Sequence, residues 1–402
     1  MISSLYSGVQ GIQANSKALG VIGANIANVN TGAYKAGNIS FATVLGETGA
    51  NGGVKVWGMS KTWSQGALEY TSSTTDLAII GNGLFVVKGS DGSDYYSRAG
   101  AFFFDKNGQL VNEDGYKVQG LAIASGTTTG SPTTIDVSSV TSSPKATSEM
   151  RMAMNLDSAT VASGTFTNTI SVYDSLGNQI PLTLTFTKDA SASNTWKVTG
   201  EVPASTSGTV TFDVSTLEFG ADGKLLTPAT DIEIEIAGLN TGASATMSVT
   251  WDLYDDVNKV PYDDITQFSG NSGVTFQNQD GYATGSVSSV QVGEDGMVTG
   301  IFTNGKTKAL YQIVLAKFPN YQGLAAVGNN LYRASIDSGE PIIGAAKTSG
   351  RGSISQMSLE MSNVDLATEF VKMIVTQRAY QANAKVITTS NEVLQELINM
   401  KR

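Results

Sequence analysis

The chain has 402 residues, 41% of them hydrophobic, with 25 basic and 35 acidic side chains for a net charge of −10. It contains neither cysteine nor histidine, which excludes Cys/His zinc sites, disulfides, haem attachment and Ser-His or Cys-His catalytic pairs. The length allows two to four domains with ordinary cores, and no stretch approaches a membrane span.

At the N-terminus no charge precedes Lys17 and no continuous apolar run occurs. A Sec-type signal peptide is therefore not expected, and any export should use a route without a cleaved signal. Ile2, Leu5, Val9, Ile12, Ser16, Leu19, Gly23 and Ile26 alternate at spacings of three and four. That period of about 3.5 residues predicts a helix with a coiled-coil seam. Ser16 and Gly23 leave the seam too sparse to hold an isolated helix in water.

The helix is expected to stop within "GANIANVNTGAYKA" (23–36). Asn and Gly accept the left-handed cap, and Thr31-Gly32 makes a turn. Asn25, Asn28 and Asn30 can bond backbone groups as the chain leaves the helix, while Tyr34 offers a packing anchor. The small residues here allow neighbouring chains to approach and the joint to flex.

From 76 to 120, short apolar runs are broken by Gly-Asn-Gly, Asp-Gly, Asn-Gly and Asp-Gly, the punctuation of successive β-hairpins. Residues 121–150, rich in Ser, Thr, Gly and Pro, read as a linker. A second β region follows, with "TNTISVYDSLGNQIPLTLTFTK", "DIEIEIAGL" and "ATMSVTWDLYDD", and the hairpin style resumes near 285. The chain closes on a second predicted helix, its seam running through Leu366, Phe370, Met373, Gln377, Tyr380, Ala384, Ile387, Asn391, Leu394 and Ile398. Asn363 or Ser362 is the expected cap, with Asp365 favourable in the first turn.

Charge is unevenly spread. Residues 1–144 carry 8 basic and 9 acidic side chains, 285–402 carry 11 and 9, and 145–284 carry 6 and 17. Near-neutral ends can pack against copies of themselves, whereas an acidic block suits a solvated, outward-facing domain. Nothing suggests nucleic-acid binding. The expected architecture is mainly β with paired terminal α-helices, nested as a multidomain chain with two β domains. Residues 1–70 and 359–402 form the helices and a connecting segment, 71–144 and 285–358 a β-rich core, and 145–284 an inserted acidic β domain.

"GIFTNGKT" (300–307) fits the phosphate-loop pattern letter for letter. A phosphate loop must open a helix, but "KALYQIVLAKF" follows, so Asn304-Gly305 reads as a hairpin turn. The carboxylates Asp252, Asp255, Asp256, Asp263 and Asp264 lack calcium-loop spacing and read as solvated surface. Asp91-Gly92-Ser93-Asp94 reads as a hairpin tip. No catalytic, metal or cofactor site is expected.

"NIANVNTGAYKA" after a heptad helix resembles the N-terminal signature of the flagellar rod, hook and hook-associated axial protein family. "DLAIIGNGLFVV" followed by "YYSRAGAFFFDKNGQLVNEDGYKVQG" resembles the β core of its rod and hook members. "LEMSNVDLATEFVKMIVTQRAYQANAKVITTSNEVLQELINMKR" is similar to its C-terminal helix. The motifs cover roughly 1–120 and 285–402; the middle matches only as an insert of the expected size. Within the family, length and insert point to the hook members. A distal rod or other hook-basal-body component is the alternative, and a secreted surface enzyme or adhesin using 145–284 is a rival of another class.

The resemblance implies a subunit exported unfolded through the flagellar type III apparatus. It would polymerise with itself into a curved hollow tube that passes motor torque to the filament. Further implied partners are the distal rod protein, the hook cap and the hook–filament junction protein. Some spirochaete hooks are cross-linked through a cysteine and a lysine, and this chain has no cysteine. Self-assembly is expected to rest on Leu5, Val9, Ile12, Leu19, Asn25, Ile26, Asn28, Thr31, Gly32, Tyr34, Leu366, Phe370, Met373, Tyr380, Ile387, Leu394 and Ile398.

Overall fold

A computed structural model of the chain describes residues 2–45, 51–124, 127–192, 194–254 and 262–400. It is mostly β with one helix at each end, α1 (Ile2–Ala27) and α2 (Leu366–Asn399). The chain divides into two compact units, one of 1–139, 289–301 and 307–402, the other of 140–288 and 302–306.

In the first unit α1 and α2 pack antiparallel: Ser4 meets Ser390, Gly8 lies against Ile387, and Asn25 meets Glu369. The buried line of α1 is Gly8, Gly11, Ala14, Ala18, Ile22 and Asn25. It keeps the heptad rhythm but is displaced by a residue or two from the predicted seam. Glycine and alanine win that line because they let two helix backbones approach closely, while larger side chains are pushed to its flank. Asp365, and neither Asn363 nor Ser362, caps α2, accepting from Thr368 N at 3.1 Å. Asn363 is occupied elsewhere, as described below.

A two-stranded ribbon, Gly37–Leu45 with Asn51–Lys61, packs against α1. The main sheet is organised around Thr307–Lys317, which pairs antiparallel with Met297–Phe302, Lys117–Ala124, Leu84–Lys88 and Ile342–Ala345. Leu84, Val86, Tyr96, Val314, Ala316, Phe318 and Tyr332 form a buried cluster there. Asn304-Gly305 turns the chain into Thr307–Lys317, with Gly305 at φ +74°, so a strand follows "GIFTNGKT" and not a helix.

Two expectations need correction. Gly81 and Gly83, at φ +98° and +134°, do not close a hairpin. Leu77–Ile80 pairs with Ser353–Gln356, while Leu84–Lys88 joins the main sheet. The glycines turn the chain from one sheet to the other, in backbone conformations that side chains disfavour. Nor is 121–150 a linker throughout, since Thr127–Thr134 pairs antiparallel with Lys117–Ala124. A threonine run is polar enough to resemble a linker, yet its β-branched residues suit a partly exposed strand.

The second unit is a sandwich. One sheet contains Thr209–Phe212, Ile232–Ala237, Thr246–Trp251, Glu149–Asn155, Ile265–Thr266 and Gly273–Gln279. The other contains Thr165–Tyr173, Gln179–Lys188, Thr195–Glu201, Thr216–Phe219 and Leu225–Thr227. Strict alternation along Gln179–Lys188 sends Ile180, Leu182, Leu184 and Phe186 into one core with Trp196 and Trp251. Asp280 joins the segment entering this unit to the segment leaving it. Its carboxylate accepts from Ser148 N (2.8 Å), Glu149 N (3.0 Å), Ser148 Oγ (2.6 Å) and Lys145 Nζ (2.6 Å). These bonds hold its pKa well below the usual carboxylate range against the opposing effect of burial.

The acidic cluster is divided among partners. Asp264 accepts from Arg151 Nε at 2.6 Å and Asp263 from Lys224 Nζ at 2.7 Å. Asp255 and Asp256 lie outside the described residues.

Candidate assembly site

The turn after α1 is tied down by side chains. Asn25 is buried and faces Gly37 as a strand partner would, donating to Gly37 O at 2.8 Å and accepting from Gly37 N at 2.8 Å. The same amide donates to Glu369 Oε2 at 3.1 Å, and Tyr34 OH donates to Asn25 Oδ1 at 3.3 Å. Glu369 also accepts from Lys372 Nζ at 2.7 Å. Burial, then the Glu369 charge, raise the Tyr34 pKa. One amide therefore joins the end of α1, the start of the ribbon and the first turn of α2.

Asn28 donates to Ala24 O at 2.9 Å and accepts from Thr31 Oγ1 at 3.1 Å, closing the helix end. The left-handed residue is Ala33, at φ +58°, and not Gly32. Ala33 N donates to Glu360 O at 2.6 Å, and Asn330 Nδ2 donates to Gly32 O at 2.9 Å. A dense hydrogen-bonded knot replaces the predicted flexing joint, because Asn25 and Asn28 find fixed backbone partners.

Beneath it lies a buried charge cluster that the sequence reading missed. Lys35 Nζ donates to Glu360 Oε1 at 2.6 Å and to Ser64 O at 2.8 Å, and both charged side chains are fully buried. Gly66 N donates to the same Glu360 oxygen at 2.9 Å. Arg98 Nη1 stands 3.6 Å from Glu360 Oε2 while its nitrogens donate to Ile79 O and Gly81 O. Burial lowers the pKa of Lys35 and of Arg98, and Glu360 opposes the fall in both. Asn363 completes the joint, accepting from Ala36 N and donating to Thr62 O and Ser64 O. The available signal was one lysine among small residues (Lys35) and one glutamate in an apolar stretch (Glu360). Only tertiary pairing reveals them as partners.

The predicted seam residues divide. On α1, Leu5, Ile12, Leu19 and Ile26 are half-buried and Val9 is exposed. On α2, Met373, Ile387 and Leu394 are half-buried, whereas Leu366, Phe370, Tyr380 and Ile398 are exposed. A second apolar line was missed: Val371, Ile374 and Val375 are 61%, 53% and 62% exposed, beside Phe370 at 50%. Val371 and Val375 edge a groove of about 280 Å³ between the helices and the ribbon, floored by Ala18, Ile22 and Ile39. Neither a group of three metal-binding side chains nor a helix long and apolar enough to cross a membrane occurs among the described residues.

Four family models match the chain: flagella basal body rod protein over 5–35, flagellar hook protein FlgE/F/G D1 domain over 78–161, flagellar basal body protein FlaE D2 domain over 145–282, and flagellar basal body rod FlgEFG protein C-terminal over 355–400. The flagellar hook protein FlgE of Escherichia coli strain K12 is 34% identical over 98% of this chain and 98% of its own. The flagellar hook protein FlgE of Borreliella burgdorferi is 34% identical over the whole of both chains.

Proposed function

The chain belongs to the flagellar hook protein family and is a structural subunit of the hook, and we propose that copies of it polymerise into a curved hollow tube that passes motor torque from the rod to the filament. The observation that carries this reading is the unpartnered apolar line Phe370–Val371–Ile374–Val375 on α2. Its other face already packs on α1, so a neighbouring copy is the natural cover for so continuous an apolar surface.

In this reading residues 1–70 and 359–402 form the inner layer and 71–144 with 285–358 the layer around it. The acidic insert 145–284 faces outward, where water and ions screen charge repeated along the tube. The Asn25–Gly37–Glu369 knot fixes the helix pair to the ribbon, so load on the helices reaches the β layers through hydrogen bonds. The seam residues Leu5, Val9, Ile12, Leu19, Ile26, Leu366, Tyr380, Leu394 and Ile398 complete contacts between copies. The chain leaves the cell through the flagellar type III apparatus, and it meets the distal rod protein, hook cap and hook–filament junction protein.

Electron microscopy of concentrated purified protein tests the assembly. Hollow tubes are expected. A protein that stays monomeric at every concentration, and that binds or turns over a ligand through 145–284, would instead favour the secreted enzyme or adhesin.

A further inference from the structure

Where the ribbon returns to the β layers, Tyr34, Met59, Lys61, Trp63, Tyr321 and Tyr332 line a cavity of about 290 Å³. The Trp63 ring centroid stands 5.2 Å from that of Tyr321 and 5.0 Å from that of Tyr332. Lys61 Nζ lies 5.4 Å from the centre of the Tyr34 ring and 5.2 Å from that of Tyr332, and it donates to Tyr332 OH at 3.2 Å. No carboxylate of the described residues pairs with it, unlike Lys35 and Lys372 nearby. Its backbone is clamped on both sides by one amide: Lys61 N donates to Gln322 Oε1 at 3.0 Å and Gln322 Nε2 donates to Lys61 O at 2.7 Å. The ammonium is thus held in place, half-buried, with its pKa lowered by burial.

We propose that this cavity receives an acidic side chain from a second copy of the chain, its carboxylate on Lys61 Nζ and its methylenes against the aromatic rings. Size and charge select that occupant. The volume sits at the bottom of the roughly 300–1,000 Å³ range of small-molecule sites, room for one long acidic side chain and little for a cofactor. A fixed cation on aromatic walls recruits an anion with an apolar stem. Glu69, Glu392 and Glu396 stand exposed on the segments that the assembly reading packs against neighbouring copies, so a neighbouring copy is the nearest source. The pairing rests on the assembly reading and adds to it a named contact at the ribbon, away from the helix seams.

The test uses tubes assembled from equal parts of 14N- and 15N-labelled full-length protein. A water-soluble carbodiimide condenses a lysine amine with a carboxylate it touches, and mass spectrometry then reads the joined peptides. The expected product joins the Lys61 peptide to an acidic peptide in mixed isotopic form, present in tubes and absent from monomer. Lys61 should also acetylate at least about tenfold more slowly in tubes. Lys61→Gln should raise the critical concentration for assembly about fivefold at low salt and less at high salt.

Tubes in which Lys61 acetylates at the monomer rate and forms no amide between copies would overturn the proposal. So would an amide formed only within one isotope. Failure of wild-type protein to form tubes would overturn the assembly reading itself, and this contact with it.

Discussion

Lys35 Nζ and Glu360 Oε1 meet at 2.6 Å across 325 residues of sequence, with no solvent on either side chain. The pair joins the segment leaving α1 to the strand before α2, and Arg98 stands beside it as a second cation. A bridge so deep owes its worth to completeness, because removing one partner strands the other charge in a dry site. Lys35→Met should destabilise the first unit by about 3–5 kcal/mol, read as a lower urea midpoint. Lys35→Met combined with Glu360→Met should recover part of that loss. Recovery stays incomplete because Gly66 N loses its acceptor and the Arg98 guanidinium loses its carboxylate. A double variant as unstable as the single one would show that the carboxylate is not what the lysine neutralises.

Gly11 approaches α2 so closely that a Cβ added there would stand 2.7 Å from the Asn383 amide atoms. Gly11→Val should force the helices apart and cost about 1–3 kcal/mol of pairing. Far-UV circular dichroism should report lost helix, while the melting of the two β cores stays unchanged. Val is a weak helix former, so Gly11→Ala serves as the control: it gains about 1 kcal/mol of propensity and asks Asn383 only to rotate. If Gly11→Val keeps full helicity, the small-residue line is not what sets the spacing.

The helices were legible in the sequence because a heptad rhythm survives whichever line of the stripe is buried. Which line faces the partner was not, since Leu5, Val9 and Ile12 look more core-like than Gly8, Gly11 and Ala14. The choice depends on how near the facing backbone comes, a tertiary quantity. The Asp-Gly and Asn-Gly hairpins were legible because positive φ at Gly92, Gly108 and Gly115 is a local requirement. Gly-Asn-Gly misled because the same local conformations also serve a crossover between sheets. The Asn25 knot was half visible: its asparagines announced backbone bonding, but Glu369 and Gly37, its partners, lie 344 and 12 residues away.

Alkaline stability should follow two buried tyrosines. Burial, first among the causes, pushes the pKa of Tyr96 and of Tyr332 up to about 12 from 10.0. Between those values the unfolded chain has released phenolic protons that the folded chain still holds. Stability is therefore fully present below pH 10 and falls as pH rises toward 12, by about 2–3 kcal/mol for each tyrosine. Lys35 and Lys61 act in the opposite sense, since their folded pKa values lie below 10.5. Above those lowered values the unfolded chain binds protons that the folded chain has lost, so their contribution grows as pH rises to 10.5. Urea midpoints measured from pH 8 to 12 should fall steeply past pH 10, and Tyr332→Phe should flatten the fall. A flat profile in the wild type would refute the assignment.

The exposed apolar line of α2 offers the sharpest separation of assembly from folding. Ile374 is 53% exposed and flanked by Phe370, Val371 and Val375, themselves half or more exposed. In the single chain an aspartate there stays hydrated, so Ile374→Asp should change the unfolding free energy by no more than about 0.5 kcal/mol. In a tube the same carboxylate loses water without gaining a cation, at a cost of about 2 kcal/mol or more in every copy. Each 1.4 kcal/mol is about tenfold in an equilibrium, so the critical concentration should rise at least about thirtyfold. Ile387→Asp provides the contrast. Ile387 Cγ1 would stand 3.0 Å from a Cβ on Gly8, so a charge at 387 should loosen the helix pair in the monomer as well as block assembly. Sedimentation velocity and electron microscopy of the two variants, with hydrogen exchange on the monomers, separate the cases. Normal tubes from Ile374→Asp would show that this apolar line faces solvent in the polymer and that the copies meet elsewhere.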